Sequence, residues 1–249
     1  MPLIYSFSER TRFVLEPLFV AKDSASATDY VIDQIKELML AGKLRPGDRL
    51  PSELELASSL GVSRGSIRAA MKAFEVCGIV DIRRGDGTYI CSHVNNKSFN
   101  PMVFSLAVLN PDIDQLTKFR EKIELDIIEL IIKDRGLTQA ILPKLKANLD
   151  ELNALRAQGA SANETAANDR TFHEILAGGC GNIVFETIYT YILDFFYPLI
   201  VDSHEGQIQG ADAEELHQNI YNAISQSSYS MAKDAIVASM QYWYQSLQK

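Results

Sequence analysis

Gly61 separates two short amphipathic segments, and this break constrains the fold of the chain more than any other feature. Ahead of it, Ser52 and Glu55 have the spacing of a capping box, which predicts a helix carrying Leu54, Leu56, Ala57 and Leu60. Behind it, Ser63 is a natural N-cap for a helix from Arg64 to about Val76. Ile67, Met71 and Phe74 fall on one face of that helix, while Ser63, Arg64, Gly65, Ser66 and Arg68 fall on the other. Two helices joined across a glycine turn are the helix-turn-helix signature.

The flanking residues extend the unit. From Tyr30 to Ala41, Val31, Ile32, Ile35, Leu38 and Met39 recur at helical steps. Residues 44–51 (LRPGDRLP) read as a turn-rich connector. After Gly78, residues 79–83 and 88–91 read as two strands around the turn Arg84-Gly85-Asp86-Gly87. That is a hairpin with a basic tip, placed where a wing would lie along DNA. The first turn of the third helix is the part that reaches base edges in such domains. Arginine suits guanine edges or phosphates. Gly65, unusual within a helix, would let the backbone approach the duplex.

Charge fits this reading only when taken locally. The net charge is −8, yet residues 29–93 hold nine basic and nine acidic residues, and 43–84 hold eight basic against five acidic. Phosphate attraction is screened beyond about 8–10 Å, so local charge decides nucleic-acid binding. The three cysteines, Cys77, Cys91 and Cys180, form neither a CxxC pair nor a disulfide framework, which favours a reducing cytoplasm. No apolar run reaches the roughly 18 residues of a membrane helix, so no membrane partner is expected. Arg10, Arg12, Glu16 and Pro17 break the apolar stretch at the start, and residues 1–27 read as a tail.

Beyond a linker at 94–110, which ends in a short apolar element, the periodicity is helical throughout. Ile113, Leu116, Phe119, Ile123, Ile127 and Leu130 form one stripe, and Leu142, Leu145, Leu149, Leu152 and Leu155 another, with Pro143 able to kink or restart the second helix. Further helical patterns occupy 164–177, 182–203, 212–226 and 229–247. The fold class is therefore mainly α: a winged helix-turn-helix of three helices plus a β-hairpin over 28–93, then an all-α bundle over 111–249. Asp169 and His173 lie four residues apart, about 6 Å between β-carbons, a spacing that serves a divalent metal or a simple hydrogen-bonded pair. His217 can join them on a later helix or line a ligand pocket. Arg120 can clamp a carboxylate or form a surface salt bridge with Glu124. His93 and His204 read as surface residues, and Tyr242 and Trp243 as core or interface.

Residues 29–92 resemble the winged-helix domain of the GntR family of bacterial regulators. The resemblance rests on Gly42-Lys43-Leu44-Arg45-Pro46-Gly47-Asp48-Arg49-Leu50-Pro51-Ser52-Glu53, Leu60-Gly61-Val62-Ser63-Arg64, Ile67-Arg68-Ala69-Ala70 and Gly85-Asp86-Gly87-Thr88. It implies DNA contacts from Ser63, Arg64, Gly65, Ser66, Arg68 and Gly85. Arg49, in the connector before the wing, and Arg84, at the wing's basic tip, are further candidate DNA contacts. Leu54 departs from the arginine the family often has there.

Residues 110–248 resemble the FCD effector-binding domain of the FadR-like subfamily. The markers are Phe119-Arg120-Glu121-Lys122-Ile123-Glu124, Asp169-Arg170-Thr171-Phe172-His173, Gly181-Asn182, Glu215-Leu216-His217 with Ile220 and Ala223-Ile224, and an alanine-rich last helix. Helical patterning disfavours the α/β sensor of the HutC-like subfamily. The resemblance implies a homodimer on a double-stranded DNA operator, and a small carboxylate effector near Arg120, Asp169, His173, His217 and Ser239. It also implies zinc or nickel at Asp169, His173 and His217, with the family's fourth ligand, a histidine, replaced by Ser239. The alternatives are a metal-free acyl-CoA sensor and, from another class, a metal-dependent enzyme that activates water at those ligands.

Overall fold

Ser52 and Ser63 each start a helix with their own side chains. In the computed structural model, which describes residues 26–92, 101–205 and 211–246, Ser52 and Glu55 close a full capping box at the start of α2 (Glu53–Leu60). The Ser63 side chain accepts from the Ser66 N–H at the start of α3 (Arg64–Val76). Gly61 joins them with φ of 65°, a left-handed conformation that favours glycine. The first helix, α1 (Ala27–Leu40), begins three residues earlier than the periodicity predicts and buries Val31, Ile35 and Leu38. These residues pack on Leu56, Leu60, Ile67, Met71 and Phe74 to form the core of the N-terminal unit.

The hairpin β1 (Val80–Arg83) and β2 (Gly87–Ile90) pairs antiparallel, with Val80 opposite Ile90 and Arg83 opposite Gly87. A two-stranded hairpin is marginal alone. Here the connector supports it, a role the sequence reading did not assign. The Leu50 N–H donates to the Thr88 carbonyl at 2.8 Å, and the Ile90 N–H donates to the Asp48 carbonyl at 2.8 Å.

The C-terminal unit, which begins at Met102, is helical throughout its described residues. The apolar element expected at the end of the linker is α4 (Pro101–Leu109). It is followed by α5 (Ile113–Lys133), α6 (Arg135–Ala157), α7 (Ala162–Gly179), α8 (Ile183–Glu205), α9 (Ala211–Ser225) and α10 (Tyr229–Ser246). The core gathers Ile127, Ile131, Leu145, Leu149, Phe172, Leu176, Leu193, Ile220 and Ile236.

Three expectations need correction. Pro143 does not restart a helix, because α6 runs from Arg135 to Ala157 with the proline inside it. The carbonyl left without a donor belongs to Gln139, an exposed residue where water can serve. Phe119 is 43% exposed rather than inward, and the α5 positions that turn inward instead include Arg120 and Glu124. Finally, Ile183–Val201 of α8 is long and apolar enough to cross a membrane by length and composition, with mean hydropathy 1.4. It contains Glu186 and Asp194, and 28% of it is buried, including Tyr189, Ile192, Leu193 and Phe196. The tail up to residue 25, His93 and the His204 side chain lie outside the described residues.

Candidate functional site

On the N-terminal unit, Ser63, Arg64, Gly65 and Arg68 are exposed at the start of α3, Ser66 is half-buried, and Ile67 points into the core. Neither Arg64 nor Arg84 forms an ion pair among the described residues. Arg68 is engaged: its Nη2 meets Glu53 Oε2 at 2.9 Å and its Nε lies 3.2 Å from the same oxygen. Arg49 is also held. Its Nη2 donates to the Asp86 carbonyl, and its guanidinium fills the space a side chain at Gly87 would need, with a Cβ there only 2.7 Å from Arg49 Nε.

The two glycines in the predicted contact set differ. Gly85 has φ of 78°, so the turn itself calls for glycine. A Cβ at Gly65 would meet only Ser63 Oγ, at 3.5 Å. Nothing inside the described residues demands that glycine, which is consistent with close approach of an outside partner. Leu54 is 64% exposed on α2.

In the C-terminal unit, four helices bring charged and aromatic side chains to one buried centre. Helix α5 contributes Arg120 and Glu124, α7 contributes Asp169 and His173, α8 contributes Tyr189 and α9 contributes His217. Next to Asp169, α7 is clamped to α6 by reciprocal amide-to-carbonyl bonds. Asn148 Nδ2 donates to the Asn168 carbonyl at 3.1 Å, and Asn168 Nδ2 donates to the Asn148 carbonyl at 3.2 Å.

The ligand atoms of Asp169, His173 and His217 lie within 4.8 Å of one another. His217 Nε2 is 3.2 Å from Asp169 Oδ1, and His173 Nε2 is 4.0 Å from Asp169 Oδ2. The His217 ring stacks on Phe172, with centroids 4.1 Å apart. Arg120 is buried, so the surface salt bridge is replaced by an interior one: Arg120 Nε donates to Glu124 Oε1 at 2.7 Å. Tyr189 Oη donates to the same oxygen. The Arg120 guanidinium lies 5.3 Å from the Trp243 ring centroid and 5.8 Å from that of Phe196. Ser239 is half-buried on α10 and makes no hydrogen bond to the cluster among the described residues.

Burial and charge set the protonation states. Burial would push the Asp169 carboxyl up, but the hydrogen bond and charge of His217, with His173 and Arg120, hold it well below the usual range. Burial would likewise raise Glu124, and His173, Arg120 and the Tyr189 hydrogen bond outweigh it. His173 is pushed down to about 4, chiefly by burial, so its imidazole is neutral near pH 7. A half-buried carboxylate and two buried imidazole nitrogens, one of them on a neutral ring, suit a divalent metal.

Sequence reasoning placed Asp169, His173, His217 and Arg120 but missed Glu124 and Tyr189 as members of the site. Glu124 could have been found, because it falls on the inward face with Ile123 and Ile127. Tyr189 gave no signal: it lies 65 residues from Glu124 and meets it only in three dimensions.

A winged helix with exposed arginines, followed by a helical domain with a buried polar centre, is the architecture of a DNA-binding transcriptional regulator. Residues 27–90 match the family model described as bacterial regulatory proteins, gntR family, and residues 115–242, just over half the chain, match the FCD domain. The chain belongs to the GntR family of bacterial regulatory proteins and carries an FCD domain. It is 27% identical over 202 residues to the HTH-type transcriptional regulator LutR of Bacillus subtilis (strain 168), covering 79% of this chain and 90% of that protein. It is also 27% identical over 195 residues to the uncharacterized HTH-type transcriptional regulator YcbG of the same organism, covering 78% of each. Among solved structures, the GntR protein of Streptococcus agalactiae superposes with a TM-score of 0.62 at 27% identity, covering 88% of this chain and 99% of that one. The family and these relatives are transcriptional regulators, so the enzyme alternative is set aside.

Proposed function

We propose that the chain is a cytoplasmic homodimer whose hold on a DNA operator is controlled by a small carboxylate effector in the FCD domain, with a divalent metal assisting. GntR regulators bind DNA operators and usually dimerise. The observation that carries the effector reading is the contact of a buried guanidinium with His173, beside Asp169 and His217. A buried arginine favours planar anions, which it can bind bidentately.

In this reading Arg64, with Ser63, Gly65 and Ser66, faces the major groove, and Arg68 and the wing residues Arg49, Arg84 and Gly85 track phosphates. Asp169, His173 and His217 would hold the metal. Zinc or nickel fits the donor set, and Ser239 adds no strong fourth ligand. When bound, the ion supplies a positive pole for the effector's carboxylate. Glu124 holds Arg120 in place and faces the Nδ1 side of His173, a carboxylate–histidine pairing of the kind that orients metal-binding imidazoles. Effector binding shifts the operator-competent population by its differential affinity for two states.

Operator fragments selected by the full-length protein from random-sequence duplexes provide the test. Arg64→Ala should lose about 1–3 kcal/mol of specific affinity at fixed salt. Unchanged specific binding would remove Arg64 from the recognition surface. Mass spectrometry of ligand carried through native purification separates a small acid from an acyl-CoA. Elemental analysis of untagged protein decides the metal.

A further inference from the structure

One contact in the buried centre competes with the use just described. Ligation by His173 through its cluster-facing nitrogen needs the lone pair on Nε2. A guanidinium offers only N–H donors, so the 2.8 Å contact between Arg120 Nη2 and His173 Nε2 commits that lone pair to Arg120. The imidazole proton is then on Nδ1, which faces Glu124 Oε1 and Tyr189 Oη, each at 3.3 Å. Arg120 does not depend on His173 to stay in place. Its Nε is anchored on Glu124 at 2.7 Å, and Trp243 and Phe196 flank its guanidinium. Nη2 can therefore leave His173 while the ion pair persists. Ser239 makes the competition matter more. With two imidazoles and one carboxylate as the strong donors, His173 Nε2 is one of three ligand atoms a cation needs.

We propose that Arg120 is an internal competitor for a divalent cation at His173, so that cation binding frees an Arg120 N–H beside the site to recruit a carboxylate. This rests on the cluster being the cation and carboxylate site. Two consequences follow from one lone pair serving two partners. Arg120 weakens cation binding in the absence of a carboxylate. Cation and carboxylate also strengthen each other's binding, by the same factor in each direction.

The experiment is a calorimetric titration of the chelator-stripped, full-length chain with zinc chloride, in the presence and absence of acetate. Arg120→Gln should tighten zinc binding about tenfold or more, the scale of one hydrogen bond to a charged donor. Acetate should tighten zinc binding severalfold in the wild type and leave the variant unaffected. Arg120→Gln removes one partner of a buried ion pair and can fail to fold. The wild-type protein therefore carries a second readout: its Arg120 side-chain ¹H–¹⁵N signals should shift on addition of one equivalent of zinc. Equal zinc affinity in the two chains, or zinc binding in the wild type that leaves those signals unmoved, overturns the competition while the metal site stands. Zinc binding that is absent from both chains, or unchanged in His173→Gln, overturns the metal site and the competition with it.

Discussion

In the N-terminal unit, Arg68 and Glu53 meet at 2.9 Å with side chains 65% and 36% exposed. In the C-terminal unit, Arg120 and Glu124 meet at 2.7 Å with side chains 4% and 0% exposed. The bond lengths are nearly the same and the physics is not. Water and salt screen the first pair, which can exchange its partner for a phosphate at little cost. The second pair has lost its hydration and depends on protein groups for every compensating contact. The N-terminal unit therefore keeps its charges replaceable, while the C-terminal unit keeps its charges committed to one another.

The sharpest way to break this contrast is Arg120→Ala. It strands the Glu124 carboxylate, which is buried, and should cost about 3–5 kcal/mol of stability in the C-terminal unit. Urea unfolding of the full-length chain reads this, and a loss as small as that of a surface substitution would mean the cluster is hydrated.

Next in size is the pH dependence from His173. Its pKa is about 4 in the folded protein and 6.5 for the free side chain. Between those values the unfolded chain takes up a proton that the folded one does not. The stability is therefore fully present above pH 6.5 and is lost as pH falls toward 4, by about 3 kcal/mol at the limit. Asp169 and Glu124, both held low, add their own loss as pH falls through the ordinary carboxylate range and below it. Denaturant midpoints at pH 7, 6 and 5 should fall in that order, and His173→Gln should flatten the trend over this range.

The smallest effect is expected at Glu53→Gln, on the exposed side of the comparison. The melting temperature should stay unchanged within error. If Arg68 tracks phosphate as proposed, DNA affinity should rise, because a carboxylate leaves that surface and Arg68 is released. Weaker binding to DNA would mean that the pair positions Arg68 rather than restrains it.

Legibility followed the same divide. The head could be read from local chemistry: caps at Ser52 and Ser63, a turn glycine at 61, and a glycine-containing turn at 84–87 in the hairpin. These signals act over three or four residues, so the chain displays them in order. Even there, the pairing of the connector with β2 escaped, because it joins residues some forty positions apart. In the bundle, helical periodicity places the helices but not the inward face of α5, since it puts Phe119 in the apolar stripe and leaves the burial of Arg120 open. A hydrophobic stripe identifies the face of a helix, yet it cannot report that two charges on that face have found partners on other helices.

By itself, then, the sequence determined the winged helix-turn-helix, the helical bundle and the alignment of Asp169 with His173, because each follows from spacing along one element. Tertiary structure decided that Arg120 is buried, that Glu124 and Tyr189 belong to the site, and that His173 faces a guanidinium. Those outcomes depend on desolvation and on contacts between α5, α7, α8 and α9, which exist only once the helices have packed.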